Sequence, residues 1–200
     1  PSQLMFTYGV GSLVDLPKIS VIVTGLEDWP TNPEYSHPVI ESRLLQAVQF
    51  HLPRVEKLLA PPVVPETGLA PDPLDPVSKI GVPVATFPRW MVCPQCHLLA
   101  PLNSGLFQLD ENLFRPDETC YRHSSCSGPI RNPEVLPARF LVACENGHLD
   151  DFPWVEFVHR GEPCASPLLI LKEHGPSGEA RDLEVCCVNQ GCSAKRRLSE

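Results

Sequence analysis

No run of 18 apolar residues occurs in this 200-residue sequence, so nothing in it spans a bilayer as a helix. The opening residues, Pro1-Ser2-Gln3, lack the charged, apolar and small-residue succession of a signal peptide. Aromatic residues are scarce at 7%, beside a hydrophobic share of 42%, which allows only a modest core with many turns. Positive charge is also short. Sixteen Lys and Arg face 24 Asp and Glu, a net charge of −8, split as −3 over residues 1–90 and −5 over 91–200. Neither half has the composition of a basic nucleic-acid-binding domain. The short turn Gly9-Val10-Gly11-Ser12 is followed by no Gly-Lys-Ser/Thr, so it is not a phosphate loop. Nucleophile elbows, His-Glu-x-x-His motifs and repeats of about 20–50 residues are all missing.

What the chain has in excess is proline and cysteine. Its 24 prolines and 12 glycines make up 18% of the residues. That stays below the roughly 25–30% at which such a composition reads as disorder. Nine cysteines in a short, turn-rich chain need either oxidised pairs or a metal. The bulk features read as a soluble, cytoplasmic chain, where thiols stay reduced and cysteine patterns point to metal or redox chemistry. An odd count agrees, because pairing leaves one over. The start without methionine reads as a piece of a longer protein.

The organisation reads as an N-terminal α/β segment over 1–60, a proline-rich linker over 61–80 and a zinc-binding region over 81–200. Ile19-Ser20-Val21-Ile22-Val23 is β-branched, lies between Pro17 and Gly25, and predicts a short strand. Ile40, Leu44, Leu45, Val48 and Leu52 recur at helical spacing and predict a helix over 39–51, with Ser36 as cap, Pro38 in its early turn and Pro53 ending it. Residues 61–76 hold six prolines, which excludes helix and central strand there. Short apolar runs follow at Val82–Phe87, Ala138–Val142, Leu168–Leu171 and Leu183–Val185. The expected fold is α+β, a small irregular scaffold with short strands, few helices and two zinc-ribbon-like modules.

All nine cysteines lie between 93 and 192. Cys93-Pro94-Gln95-Cys96 lets one tight turn aim two sulfurs at one ion, and zinc takes four such ligands in a tetrahedron. The segment Cys120-Tyr-Arg-His123-Ser-Ser-Cys126 offers the second pair. His123 and Cys126 repeat the two-residue gap, so the first set reads as Cys93, Cys96, His123 and Cys126, with Cys120 as the substitute. A redox CxxC needs a βαβ context, and Pro83, Pro88 and Pro101 argue against one.

The second group holds Cys144-Glu-Asn-Gly-His148, Cys164, Cys186-Cys187 and Cys192. Cys144 follows an apolar strand, and Gly147 permits a tight turn toward His148. Leu183, Val185 and Cys187 alternate, so Cys187 shares their face and Cys186 turns away. Cys144, His148, Cys187 and Cys192 make the second set, with Cys164 open as a replacement for His148. Cys164 and Cys186 otherwise read as buried small apolar residues. The expected cofactor is thus Zn2+, two ions in structural roles.

A catalytic zinc keeps an open position and a nearby acid or base. Asp150 and Asp151 follow His148, but cysteine-rich coordination favours a closed site, and either aspartate reads more simply as a helix cap ahead of Pro153. Trp154, Phe157 and His159 read as packing against the zinc module rather than as a base-stacking platform. No catalytic residue is assigned, and the chain reads as a non-enzyme. A zinc-dependent hydrolase and a stand-alone zinc-ribbon nucleic-acid-binding protein remain as alternatives.

Longer patterns carry a resemblance. Ser2-Gln3-Leu4 runs through to Thr7-Tyr8-Gly9-Val10-Gly11, then Val14-Asp15-Leu16-Pro17 and Gly25-Leu26-Glu27-Asp28-Trp29 follow. Later come Phe87-Pro88-Arg89-Trp90-Met91-Val92-Cys93-Pro94-Gln95-Cys96 and Arg139-Phe140-Leu141-Val142-Ala143-Cys144-Glu145-Asn146-Gly147-His148-Leu149-Asp150-Asp151-Phe152-Pro153-Trp154. On these blocks the chain resembles the amino-terminal part of the DrmB family of the DISARM bacterial anti-phage defence system. The resemblance implies a helicase-associated subunit without ATPase motifs. It pairs with the SNF2-like helicase DrmA in a core that engages foreign DNA. The negative charge favours docking onto the helicase over direct DNA contact.

Overall fold

The computed structural model describes residues 7–30, 35–64, 72–175 and 179–200. The opening Ser2-Gln3-Leu4 block and residues 65–71 of the proline-rich stretch lie outside the described residues. The chain divides into two units, Pro1–Val14 with Ile22–Ala85, and Asp15–Val21 with Thr86–Glu200. Strands β1 (Leu13–Asp15), β2 (Ser20–Val23) and β3 (Val84–Thr86) form a sheet in that order. The β-branched run at 19–23 thus gives a strand over Ser20–Val23, with Ile19 just outside it and Val21 and Val23 buried on one face.

Helix α1 spans Ser42–His51 in the first unit. Glu41, not Ser36, is its N-cap, and the Glu41 carboxylate accepts the Arg43 amide at 3.1 Å. Ser36 instead donates its hydroxyl to the Ala60 carbonyl at 2.8 Å, and Pro38 pairs with Leu59 in an isolated bridge. Those extended contacts hold 36–38 out of the helix and delay its start to residue 42. Leu52 is the C-cap, immediately before Pro53. Further on, Asp75 caps a 3₁₀ turn at Pro76–Lys79.

The second unit is built on a six-stranded antiparallel sheet. Its members are β4 (Trp90–Val92), β5 (Leu98–Pro101), β8 (Leu136–Pro137), β11 (Leu169–Glu173), β12 (Leu183–Cys187) and β13 (Lys195–Arg197). They lie in the order β13-β12-β11-β5-β4-β8. Two hairpins stand apart, β6 (Gln108–Asp110) with β7 (Cys120–Arg122), and β9 (Leu141–Ala143) with β10 (Leu149–Asp151). Helix α2 spans Trp154–His159.

Side chains alternate across a strand, so neighbouring residues feed opposite faces. Leu99, Leu169, Val185 and Cys187 point to one face and bury Trp154 and Val158 of α2, with Trp90 and Val92 packed alongside. Met91, Cys93, Leu98 and Ala100 point to the other and pack with Phe107 and Val135. The sheet therefore carries two small cores back to back. Among the described residues no helix is long and apolar enough to cross a membrane.

Candidate metal centres

All nine cysteines are free thiols. Four residues from two turns meet beside the Met91 core. Between β4 and β5 the backbone folds back on itself, with the Cys93 amide on the Leu98 carbonyl at 2.9 Å and the His97 amide on the Cys93 carbonyl at 2.8 Å. His97 closes this turn at φ 60°, a left-handed conformation in which histidine is enriched among non-glycine residues. The turn aims Cys93 and Cys96 inward. The segment after β7 brings His123 and Cys126 against them. The Cys93 and Cys126 sulfurs are 3.6 Å apart, and the Cys96 sulfur is 3.4 Å from His123 Nδ1. All four ligand atoms lie within 4.8 Å of one another.

This set is held from outside. His123 is buried, its ring meets Phe107 edge-on, and its Nε2 faces the Ser125 hydroxyl at 3.4 Å. Burial pulls the imidazole below its ordinary pKa, toward the neutral form a metal requires. Burial pushes the Cys96 thiol up to about 12. Burial acts upward on Cys126 as well, but the Gly128 amide, which donates to its sulfur, and the neighbouring Cys93 and Cys96 thiols hold it below the usual thiol value. Gly128 makes this approach feasible. A Cβ there falls 2.7 Å from the Gln95 Cβ and 3.3 Å from the Cys126 sulfur.

A second set forms beside the Trp154 core. His159 ends α2, Arg160 and Gly161 adopt left-handed backbone and turn the chain, and Cys164 follows. Cys187 ends β12. The connection to β13 places Gly191 at φ 80° and closes with the Cys187 amide on the Ala194 carbonyl at 2.8 Å, bringing Cys192 back. The Cys164 and Cys187 sulfurs are 3.7 Å apart, and the Cys192 sulfur is 3.5 Å from His159 Nε2. These four ligand atoms also lie within 4.8 Å of one another. His159 Nδ1 lies 2.7 Å from the Val155 carbonyl. An N–H donated there leaves the Nε2 lone pair facing the sulfurs, the usual arrangement of a ligating histidine. Burial acts to raise Cys187, but the Asn189 and Leu168 amides and His159 outweigh it, bringing the thiol down to about 7.

Both sets offer three sulfurs and one ring nitrogen. Metal–sulfur bonds of about 2.3 Å and metal–nitrogen bonds of about 2.0–2.1 Å in a tetrahedron give ligand–ligand edges of about 3.6–3.8 Å. The 3.4–3.7 Å separations in the two clusters match. The donor sets and their spacing fit a tetrahedral ion in each cluster.

The four residues read from sequence as the first set come together in the structure. Cys120 lies outside the cluster; three positions from His123, it faces the opposite side of the β7 strand, where it is buried and its thiol is raised by that burial. Of the second set, Cys187, Cys192 and the alternate Cys164 come together, but Cys144 and His148 join neither cluster. They sit on the β9–β10 hairpin, with the Cys144 sulfur 3.2 Å from His148 Nδ1. Their places are taken by Cys164 and by His159, the latter read from sequence as packing. A matching gap marks it, since His159 and Cys164 are separated by four residues, as are Cys187 and Cys192. Cys186 is buried, turned to the other face toward Glu184 at 3.6 Å.

Asp150 and Asp151 do not cap α2, whose N-cap is Pro153. Both lie in β10 and grip Arg89. Asp151 accepts the Arg89 backbone amide at 2.8 Å and its Nε at 2.7 Å, and Asp150 accepts an η-nitrogen. Hydrogen bonding to Asp151, with the charges of both carboxylates, raises the guanidinium pKa. Trp154 is fully buried, and Phe157 lies beneath the Arg196 guanidinium at 4.3 Å, so neither ring is open for stacking on a base.

Residues 1–200 match the family described as a domain of unknown function (DUF8724), and the chain belongs to that family. It is also similar to the DISARM protein DrmB of Bacillus paralicheniformis, at 29% identity over 119 residues. That alignment covers 58% of this chain and 19% of the relative, so the chain spans about a fifth of that protein's length.

Proposed function

We propose that this chain is a non-catalytic, zinc-stabilised part of a DISARM-type anti-phage defence subunit, working in the cytoplasm and docking onto an SNF2-like helicase of the DrmA kind. DNA is reached through that complex. The observation that carries the reading is the similarity to the DISARM protein DrmB over more than half of the chain. The two Cys₃His clusters support the structural part. Zinc suits them best, because thiolate-rich tetrahedral sites with one imidazole are typical closed structural zinc sites. Cys93, Cys96, His123 and Cys126 hold one ion; His159, Cys164, Cys187 and Cys192 hold the other. Each histidine uses one ring nitrogen toward the sulfurs and the other toward a neighbouring group.

The net charge of −8 supports docking to protein over a stand-alone grip on phosphate. Asp150 and Asp151, the acids that follow the Cys144–His148 pair in sequence, are engaged by Arg89, which weakens the case for either as a hydrolytic base there. The reading is tested by co-expressing the chain with an SNF2-like helicase from the same defence locus. Co-purification and a change in DNA-stimulated ATPase activity are expected. No association and no change in ATPase activity overturn it.

A further inference from the structure

The β9–β10 hairpin pairs with no other strand among the described residues, and every residue from 142 to 150 is exposed. A lone two-stranded hairpin is marginally stable in water. This one is tied at its base, where Arg89 grips Asp150 and Asp151. Its tip is ordered by backbone hydrogen bonds. The Cys144 amide donates to the His148 carbonyl and the Gly147 amide to the Cys144 carbonyl, each at 3.0 Å, with Gly147 at φ 82°. That turn places a thiol and an imidazole nitrogen 3.2 Å apart at the surface. Small side-chain rotations widen the pair to the roughly 3.6 Å sulfur–nitrogen edge of a tetrahedral site. No third Cys, His, Asp or Glu completes the group among the described residues.

We propose that Cys144 and His148 form a third, solvent-facing site for a zinc-type divalent cation. The hairpin supplies two ligands, one sulfur and one nitrogen. The two remaining positions face outward and take water, or a donor brought by another polypeptide. Such a half-site exchanges its ion readily, unlike the two four-ligand clusters. It is independent of the helicase reading.

The test is a Co2+ titration of the chain with zinc already in both clusters. One further equivalent is expected, with a sulfur-to-cobalt charge-transfer band. Cys144→Ser should abolish the band, and both Cys144→Ser and His148→Asn should weaken the third equivalent by more than about tenfold. Zinc content of the other two sites and the thermal melt should not change, because the tip is exposed. Absence of a third equivalent in the wild type overturns the proposal, as does binding that both variants leave intact.

Discussion

His159 is a helix-terminal residue with two separate tasks. Nδ1 faces the Val155 carbonyl, so the helix itself fixes the ring, and Nε2 is left for the sulfurs of the second cluster. His159→Ala should therefore remove one of two tightly held metal ions. Cys144→Ser and His148→Asn should leave both, as read by metal analysis after desalting. Gly128 sets a second expectation. Gly128→Ala drives a Cβ into the Gln95 Cβ at 2.7 Å, where no flexible tip can give way. Overpacking of this kind costs about 1–3 kcal/mol, and a lowered thermal midpoint with weakened metal retention at the first cluster is the expected result. The first cluster was legible in the sequence because Cys93–Cys96 and His123–Cys126 repeat one short gap. The second was only half legible. Cys144 and His148 have the local look of a ligand pair, whereas His159 reaches its cluster only because α2 ends there and the chain turns back through Arg160 and Gly161.

Among the elements, α2 shows what short helices need here. It is six residues long, too short to persist alone, so packing must hold it. Trp154 supplies that packing, fully buried against the sheet with Phe140 and Phe152 edge-on or tilted around it. Trp154→Ala should cost about 3–5 kcal/mol, measured by chemical denaturation. Trp154→Phe should cost less, since the indole N–H has no hydrogen-bond partner among the described residues and its loss removes an unsatisfied donor. The strands around 19–23 and 183–187 were readable from β-branching and alternation, and so was the position of Pro53 beyond α1. The caps were not. Ser36 and Asp150 both have N-cap chemistry, but tertiary partners claim them first: the Ala60 carbonyl for Ser36 and the Arg89 guanidinium for Asp150. A side chain offered a fixed distant partner need not serve the nearest helix end.

For the whole molecule, the nine cysteines resolve into eight positions that face clusters, one another or the core, plus one at an exposed hairpin tip. The clusters lie beside the two cores on opposite faces of one six-stranded sheet. Each joins turns distant in sequence, Cys93 with Cys126 and His159 with Cys192, and in the zinc-stabilised reading each replaces part of the apolar burial that a proline-rich chain lacks. In such modules metal-binding free energy is folding free energy. Chelation should therefore unfold the second unit, seen as loss of its near-ultraviolet circular dichroism, and zinc should restore it. The measurement that bears most directly on this account is the metal content of the purified, desalted chain by mass spectrometry of the elements. Two zinc ions per chain are predicted, falling to one in both Cys93→Ser and His159→Ala. Fewer than one zinc per folded chain, or an unchanged content in those variants, contradicts it.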